Sequence, residues 1–243
     1  MAKKELKAMD LVQVTGRITY KRYTDQDQTL FVVLSVSTPR TAIGSKGPND
    51  EWNRDYPAFT VTGEVAEELD EQFKVGDHIS VCGHMDTRQR MVYEGNRMYR
   101  GTWEQYIVAD IVLPYQGGID TNSVIISGKI SRVYRNTEAA KKFYIITVEV
   151  PLEDGSIARA AFTHFYSRLQ LEPSVGDEIR AIGFIQTRRE RVNNSRGRSR
   201  TRYIMSVVSR NIVIQRNTPK KDFKTKAAEV TEAQEEETDD IRI

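Results

Sequence analysis

Long stretches of the chain alternate apolar and polar residues, and β-branched residues are enriched in them. A period of two is typical of β-strands. The segment "EVAEELDEQF" (64–73) differs, because Val65, Leu69 and Phe73 recur at helical spacing and predict a short helix. In the first half of the chain we predict five strands, near Leu11–Lys21, Thr29–Ser37, Ala58–Thr62, His78–Arg88 and Trp103–Leu113.

The same sequence pattern occurs twice along the chain. "VGDHISVCGHMDTRQR" (75–90) matches "VGDEIRAIGFIQTRRE" (175–190) at an offset of 100. At an offset of 112, "VQVTGRI" matches "VIISGKI", and "FVVLSVSTP" (31–39) matches "FYIITVEVP" (143–151). A duplicated unit of about a hundred residues explains these offsets. Three strands, a helix and two strands is the order of an oligonucleotide/oligosaccharide-binding (OB) barrel. We therefore predict an all-β protein with two tandem five-stranded OB barrels, residues 1–116 and 117–216, and a disordered tail, 217–243.

The strand pattern also predicts where the strands bend, where turns lie and which side chains face the barrel interiors. Gly16, Gly128, Gly83 and Gly183 interrupt strands and indicate sharp bends. The Gly-Asp pairs at 76–77 and 176–177 indicate turns, and Cys82 is predicted to be buried. The predicted barrel interiors contain Val32, Leu34, Val36, Ile79, Val81 and Met85 in the first unit, and Tyr144, Ile146, Val148, Ile179, Ala181 and Ile185 in the second.

Charge is distributed unevenly along the chain. Residues 1–226 hold 35 basic and 27 acidic residues, a net charge of +8, whereas residues 227–243 carry −6. No apolar run approaches the roughly 20 residues that cross a bilayer, and the N terminus has no secretory signal. We expect a cytoplasmic protein, in the host cytoplasm if a phage encodes it.

The order of these segments resembles bacterial and phage single-stranded DNA-binding proteins. The resemblance is carried by "VTGRI", "FVVLSVST", "EWNRDY", "TGEVAEEL", "VGDHISVCGHMDTRQR" and "YIVADIVL". It covers about residues 11–113, and 124–214 more loosely. The C-terminal "EEETDDIRI" is similar to that family's acidic tip, but Arg242 and Ile243 stand where the family prefers Pro and Phe. The resemblance implies that Asp239, Asp240, Ile241 and Ile243 bind replication and repair proteins.

Outward positions next to cations are candidate contacts for single-stranded DNA, because bases stack on rings and phosphates pair with Arg or Lys. On the strands these candidates are Arg17, Phe31, Lys129, Phe143 and Phe184. Packing under a loop or against another subunit is the alternative explanation for Phe31 and Phe143. Near residues 52–56 the family places a stacking Trp; here Trp52 and Tyr56 both fit, with Arg54 between them.

The connections between the fourth and fifth strands are the richest in cations. The first, 88–103, interleaves arginines with rings: Arg88, Arg90, Tyr93, Arg97, Tyr99, Arg100 and Trp103. The second is nearly pure arginine: Arg188, Arg189, Arg191, Arg196, Arg198, Arg200 and Arg202. A solvated hairpin tip is the alternative, but such a cluster repels itself unless an anionic partner is bound. The family's Trp after Thr-Arg is replaced by Arg90 and Glu190.

No catalytic constellation is evident. The sequence has no phosphate-binding loop and no His-Glu-x-x-His motif, and its three histidines are scattered. We expect no catalytic residue, cofactor or metal. The expected function is sequence-nonspecific binding and protection of single-stranded DNA in replication, recombination and repair, by a protein that can form a homodimer. The alternatives are an OB protein that mainly binds proteins, such as a primosome factor, and a strand-annealing recombination mediator.

Overall fold

The structure, a computed structural model, describes residues 7–37, 54–94, 97–117, 119–137, 142–152, 155–166, 172–193 and 199–216. Within 88–104 and 189–203 the description is confined to the backbone. The first six strands and the helix are β1 (Met9–Thr24), β2 (Thr29–Ser37), β3 (Arg54–Asp55), β4 (Ala58–Thr62), α1 (Glu64–Gln72), β5 (His78–Glu94) and β6 (Arg97–Pro114). The second half contains β7 (Asn122–Asn136), β8 (Phe143–Pro151), β9 (Ile157–Phe165), β10 (Glu178–Asn193) and β11 (Ser199–Gln215).

These strands close into two barrels. In the first barrel the order is β1-β5-β6-β4-β2, and β2 pairs back onto β1. In the second barrel it is β7-β10-β11-β9-β8, and β8 pairs back onto β7. Each barrel is closed by one parallel pair, β4 with β6 and β9 with β11, while the other pairs are antiparallel. The prediction of two five-stranded OB barrels is confirmed.

The predicted interiors are also confirmed, since all twelve predicted core side chains are buried. Gly83 and Gly183 lie opposite β-bulges in β6 and β11, in which Asp110 and Arg210 are the extra residues. A Cβ at either glycine would collide with the carbonyl oxygen of the paired strand, at Val108 or Val208, so only glycine permits this close approach. The Gly-Asp turns form as expected, with positive φ at Gly76 and Gly176.

The predicted helix is confirmed as α1, which turns Ala66, Leu69 and Phe73 toward the first barrel and leaves Val65 54% exposed. Two predictions need correction. Cys82 is half-buried rather than buried, because its side chain alternates to the opposite face from the buried Val81. The second correction is in the register of the repeat.

The second strands of the two barrels are equivalent at an offset of 114, not 112. Arg17 pairs with Ser35 in the first barrel, and its counterpart Lys129 pairs with Glu149 in the second. Phe31 is therefore equivalent to Ile145, and Phe143 is not its counterpart. A shift of two residues leaves every side chain on its original face, so the hydrophobic pattern cannot detect it.

A direct strand pairing joins the two barrels. Residues 9–14 of β1 pair antiparallel with residues 122–127 of β7. Val12 pairs with Val124, which is its own equivalent in the repeat, so the pairing has a local two-fold axis at that position. The strands β6-β5-β1-β7-β10-β11 consequently form one continuous antiparallel sheet across both barrels. We call its outward surface the six-stranded face.

Candidate nucleic-acid interface

An aromatic pair and a cation occupy the outer surface of the first barrel, where β1 pairs with β2. The rings of Tyr20 and Phe31 meet edge to face, with centroids 6.3 Å apart. Arg22 is exposed and lies directly opposite Phe31 in the strand register. We call Tyr20, Arg22 and Phe31 the first aromatic face; Arg17 is exposed on the same strand.

Sequence reasoning missed Tyr20 and Arg22. Strict alternation from Arg17 places both of these side chains inside the barrel. A register shift between Ile18 and Tyr20 instead turns them outward, and it turns Lys21 inward, 2.7 Å from the Asp70 carboxylate of α1. A period-two pattern contains no signal for such a bulge.

The second barrel has a related surface on β7, β8 and β9. Phe143 and Phe165 meet edge to face, with centroids 5.8 Å apart. Arg132 and Tyr134 are exposed on β7, at the positions equivalent to Tyr20 and Arg22, so the ring and the cation have exchanged places. Arg132, Tyr134, Phe143 and Phe165 form the second aromatic face. Of these, only Phe143 was predicted.

The arginine-rich connections are strands rather than loops, which corrects the sequence interpretation. β5 continues to Glu94 and β6 begins at Arg97, so most of 88–103 is a two-stranded ribbon. Likewise β10 and β11 pair from Arg188 with Ile204 to Asn193 with Ser199. The sequence pattern did not extend these strands, because apolar alternation marks only strands with one face on a core. The backbone description covers Arg88, Arg90, Tyr93, Arg97, Tyr99, Arg100, Trp103, Arg189, Arg191, Arg200 and Arg202.

Each ribbon is held at its base by the opposite barrel. Thr187, just before the arginine ribbon, donates its backbone N–H to Oδ1 of Asp55 at 2.8 Å. Its hydroxyl donates to the same oxygen at 3.3 Å and accepts from the Tyr56 N–H at 2.8 Å. Asp55 is fully buried. The predicted residues Arg54 and Tyr56 thus flank a carboxyl that positions the second ribbon.

The base of the first ribbon makes the reciprocal contact. Thr87, equivalent to Thr187, donates its hydroxyl to the Arg159 carbonyl of β9. Gln105, on the paired strand, accepts a hydrogen bond from the Ala161 N–H at 3.2 Å. The two barrels therefore fix the direction of each other's ribbons.

Phe184 lies apart from both aromatic faces, on the six-stranded face. The Arg210 guanidinium sits 4.8 Å from the centroid of its ring. At the equivalent positions of the first barrel, His84 Nδ1 lies 3.3 Å from the carboxylate of Asp110. Trp52, Arg196, Arg198 and the acidic tip (Asp239, Asp240, Ile241, Ile243) lie outside the described residues.

Histidines and carboxylates do not gather into a metal site within the described ranges. His78 Nε2 contacts Asp120 Oδ1 at 2.8 Å, and His164 Nδ1 contacts the Ser209 hydroxyl at 2.9 Å. Burial lowers the pKa of His164. Across the part of the chain that is described, no helix has the length and apolar character needed to span a bilayer.

Comparison with known proteins identifies the fold. No protein-family model matches the chain, and no curated protein sequence matches it. The wild-type single-stranded DNA-binding protein from Thermus aquaticus matches with a TM-score of 0.61 and 17% identity, over 90% of this chain and 99% of that one. The chain has the fold of that protein. A deletion mutant of it gives a TM-score of 0.57 and 18% identity, over 89% and 99% of the two chains.

The resemblance to single-stranded DNA-binding proteins is therefore confirmed in fold, and it spans both barrels. In this fold, the first aromatic face lies on the outer surface of β1 and β2 and the second on that of β7, β8 and β9, away from the closed cores. Rings and cations there remain accessible to a ligand.

Proposed function

We propose that the protein binds single-stranded DNA without sequence preference and protects it, without catalysis. The observation that carries the proposal is that each barrel presents exposed rings and an exposed arginine on one outer surface: Tyr20, Phe31 and Arg22 in the first, and Phe165, Tyr134 and Arg132 in the second. Every base has a face that can stack on such rings, at about 1–3 kcal/mol per base. Arginine can neutralise the adjacent phosphates.

The ribbons supply the second part of the proposed contact. Arginines follow both strands of the second ribbon, whose base is fixed by Asp55 and Thr187. We infer that Arg188, Arg189, Arg191, Arg200 and Arg202 hold phosphates, and that Arg88, Arg90, Tyr93, Arg97, Tyr99, Arg100 and Trp103 combine phosphate contact with stacking. Arg17, Lys129, Arg54 and Tyr56 would extend the path, and Trp52, Arg196 and Arg198 stay predicted contacts.

Roles in replication, recombination and repair, and partner recruitment by Asp239, Asp240, Ile241 and Ile243, are part of the same proposal. They are supported by the acidic composition of the tail, which would keep it off the DNA and available to proteins. A protein-binding OB factor would share the tail but would not need exposed ring and cation pairs on both barrels.

The test is direct competition between forms of DNA. Mixed-sequence single strands should bind tightly, duplex of the same sequence should bind weakly, and affinity should fall steeply as salt rises because bound phosphates release counterions. An annealing mediator would in addition speed the pairing of complementary strands. Weak binding that is insensitive to salt would contradict the proposal.

A further inference from the structure

A hydrogen-bonded bulge in β1 lies directly before the first residue of the first aromatic face. Ile18 pairs with Leu34. The next residue of β1 to pair is Tyr20, opposite Val33, so Thr19 is the extra residue of a β-bulge. Such a residue interrupts the ladder of main-chain hydrogen bonds. Here the Thr19 hydroxyl donates to the Val33 carbonyl at 3.0 Å, which ties the bulge to the residue that pairs with Tyr20.

The second barrel makes the same bond with a different side chain. Ser131 is the extra residue of the equivalent bulge in β7, and the next residue, Arg132 of the second aromatic face, pairs with Thr147. The Ser131 hydroxyl donates to the Thr147 carbonyl at 3.3 Å. Thr19 is exposed and Ser131 is half-buried, so neither side chain is part of a barrel core. What the two positions share is a hydroxyl that donates across the bulge.

The repeated Gly-Asp turns fix the residue on the other side of each bulge. The Ile18 N–H donates to the Asp77 carbonyl at 2.8 Å, and the Ile18 carbonyl accepts from the Gly76 N–H at 2.8 Å. Two equivalent bonds, at 2.8 and 2.9 Å, join Ile130 to the turn at 176–177. The turn therefore holds the strand before the extra residue, and the hydroxyl of the extra residue holds the strand after it.

We propose that the hydroxyls of Thr19 and Ser131 position the two aromatic faces for binding of single-stranded DNA, an inference that rests on the proposed function. Without the bulge, strict alternation would turn Tyr20 and Arg22 into the barrel, so their outward direction depends on it. Each hydroxyl holds its bulge and thereby fixes the rings and cations of its face before DNA arrives. Ordering these side chains then costs less on binding. Neither hydroxyl needs to contact DNA in this role.

The first test removes the hydroxyl and keeps the β-branched shape. Thr19→Val should weaken binding of a mixed-sequence single strand roughly two- to tenfold, the range expected for one hydrogen bond. Fluorescence anisotropy measures the change, at a temperature well below the Tm of each variant. Thr19→Ser keeps the donor and should bind as wild type does. Thr29→Val is the matched control and should leave affinity unchanged, because the Thr29 hydroxyl donates at 3.0 Å to the Asp27 carbonyl, away from the bulge.

A double-mutant cycle separates positioning from a merely structural role. In the Tyr20→Ala background, Thr19→Val should lose most of its effect on affinity, because the ring that the hydroxyl positions is absent. Ser131→Ala and Arg132→Ala should be coupled in the same way in the second barrel. Unchanged affinity of Thr19→Val, or equal losses with and without the Tyr20 ring, would overturn the positioning role and leave the proposed function intact. A wild-type protein that does not bind single strands would instead overturn the proposed function itself.

Discussion

Asp10 and Asn122 occupy equivalent positions in the two barrels, and they differ in how fully they are hydrogen-bonded. Asn122 accepts from the Ile185 N–H and donates to the Ile185 carbonyl, both at 2.8 Å. Asp10 accepts from the equivalent Met85 N–H at 3.1 Å, but its buried Oδ2 has no hydrogen-bond partner among the described residues. Burial raises the pKa of Asp10 to about 7. A protonated carboxyl carries an O–H that can donate as the Asn122 amide does.

Stability should therefore fall as pH rises from about 4 to about 7, because the folded protein retains the Asp10 proton where the unfolded chain has lost it. Asp10→Asn should remove this dependence and raise Tm above pH 7. The measurement is thermal unfolding of both proteins at several pH values.

The comparison of wild type with variant isolates Asp10, because the lowered pKa of His164 acts with the opposite sign and is common to both proteins. Asp27→Asn, in the exposed turn between β1 and β2, is the control and should behave as wild type. A lower Tm of Asp10→Asn at high pH would show that the Asp10 carboxyl does not donate a hydrogen bond as the Asn122 amide does.

Loss of the Thr187 hydroxyl should destabilise the link between the barrels. Thr187→Val keeps the shape but removes a donor to Asp55 and an acceptor for the Tyr56 N–H. We expect a loss of about 1–3 kcal/mol, since one of these bonds goes to a carboxyl and both groups lie in a partly buried site. Differential scanning calorimetry measures the change in Tm.

Thr87→Val is the matched control at the equivalent ribbon base. Among the described residues, its hydroxyl bonds to the Arg159 carbonyl alone. It should therefore cost less than Thr187→Val. Equal effects of the two substitutions would show that the buried Asp55 contact contributes nothing beyond an ordinary hydrogen bond.

Truncation of the first aromatic face should weaken binding to single strands. Tyr20→Ala and Phe31→Ala should each lower affinity by about 1–3 kcal/mol, the usual range for a lost base-stacking platform. Fluorescence anisotropy with a labelled oligonucleotide measures the change. Val75→Ala, at a turn residue that is 59% exposed, is the control and should leave affinity unchanged. Equal losses of affinity in all three variants would show that the first aromatic face is not part of the binding site.

Deletion of residues 229–243 should leave DNA affinity unchanged or raise it. This segment carries seven acids and one base, so it repels phosphate and competes weakly for the arginine ribbons. The same deletion should abolish capture of replication or repair proteins. A large loss of DNA affinity would show that the tail has another role.

The order of the strands along the chain and the residues of the barrel interiors could be predicted from the sequence. Burial on one face of a strand imposes a period of two on its apolar residues, and this period is visible without knowledge of the tertiary structure. The sequence could not locate Tyr20 on the outer surface, since a one-residue bulge precedes it. It matched Phe31 with Phe143 because a two-residue shift preserves the pattern. The contact of Thr187 with Asp55 joins residues far apart in the chain and leaves no local signal.

The most direct test of single-strand binding by both barrels is an equilibrium titration with mixed-sequence oligonucleotides of increasing length. Affinity should rise with length until one strand covers both aromatic faces and then level off. At that length, Phe31→Ala and Phe165→Ala should each weaken binding, whereas the shortest strands should be affected little by either one alone because the other face remains available. Affinity that does not depend on length, or that neither substitution changes, would contradict the proposed function.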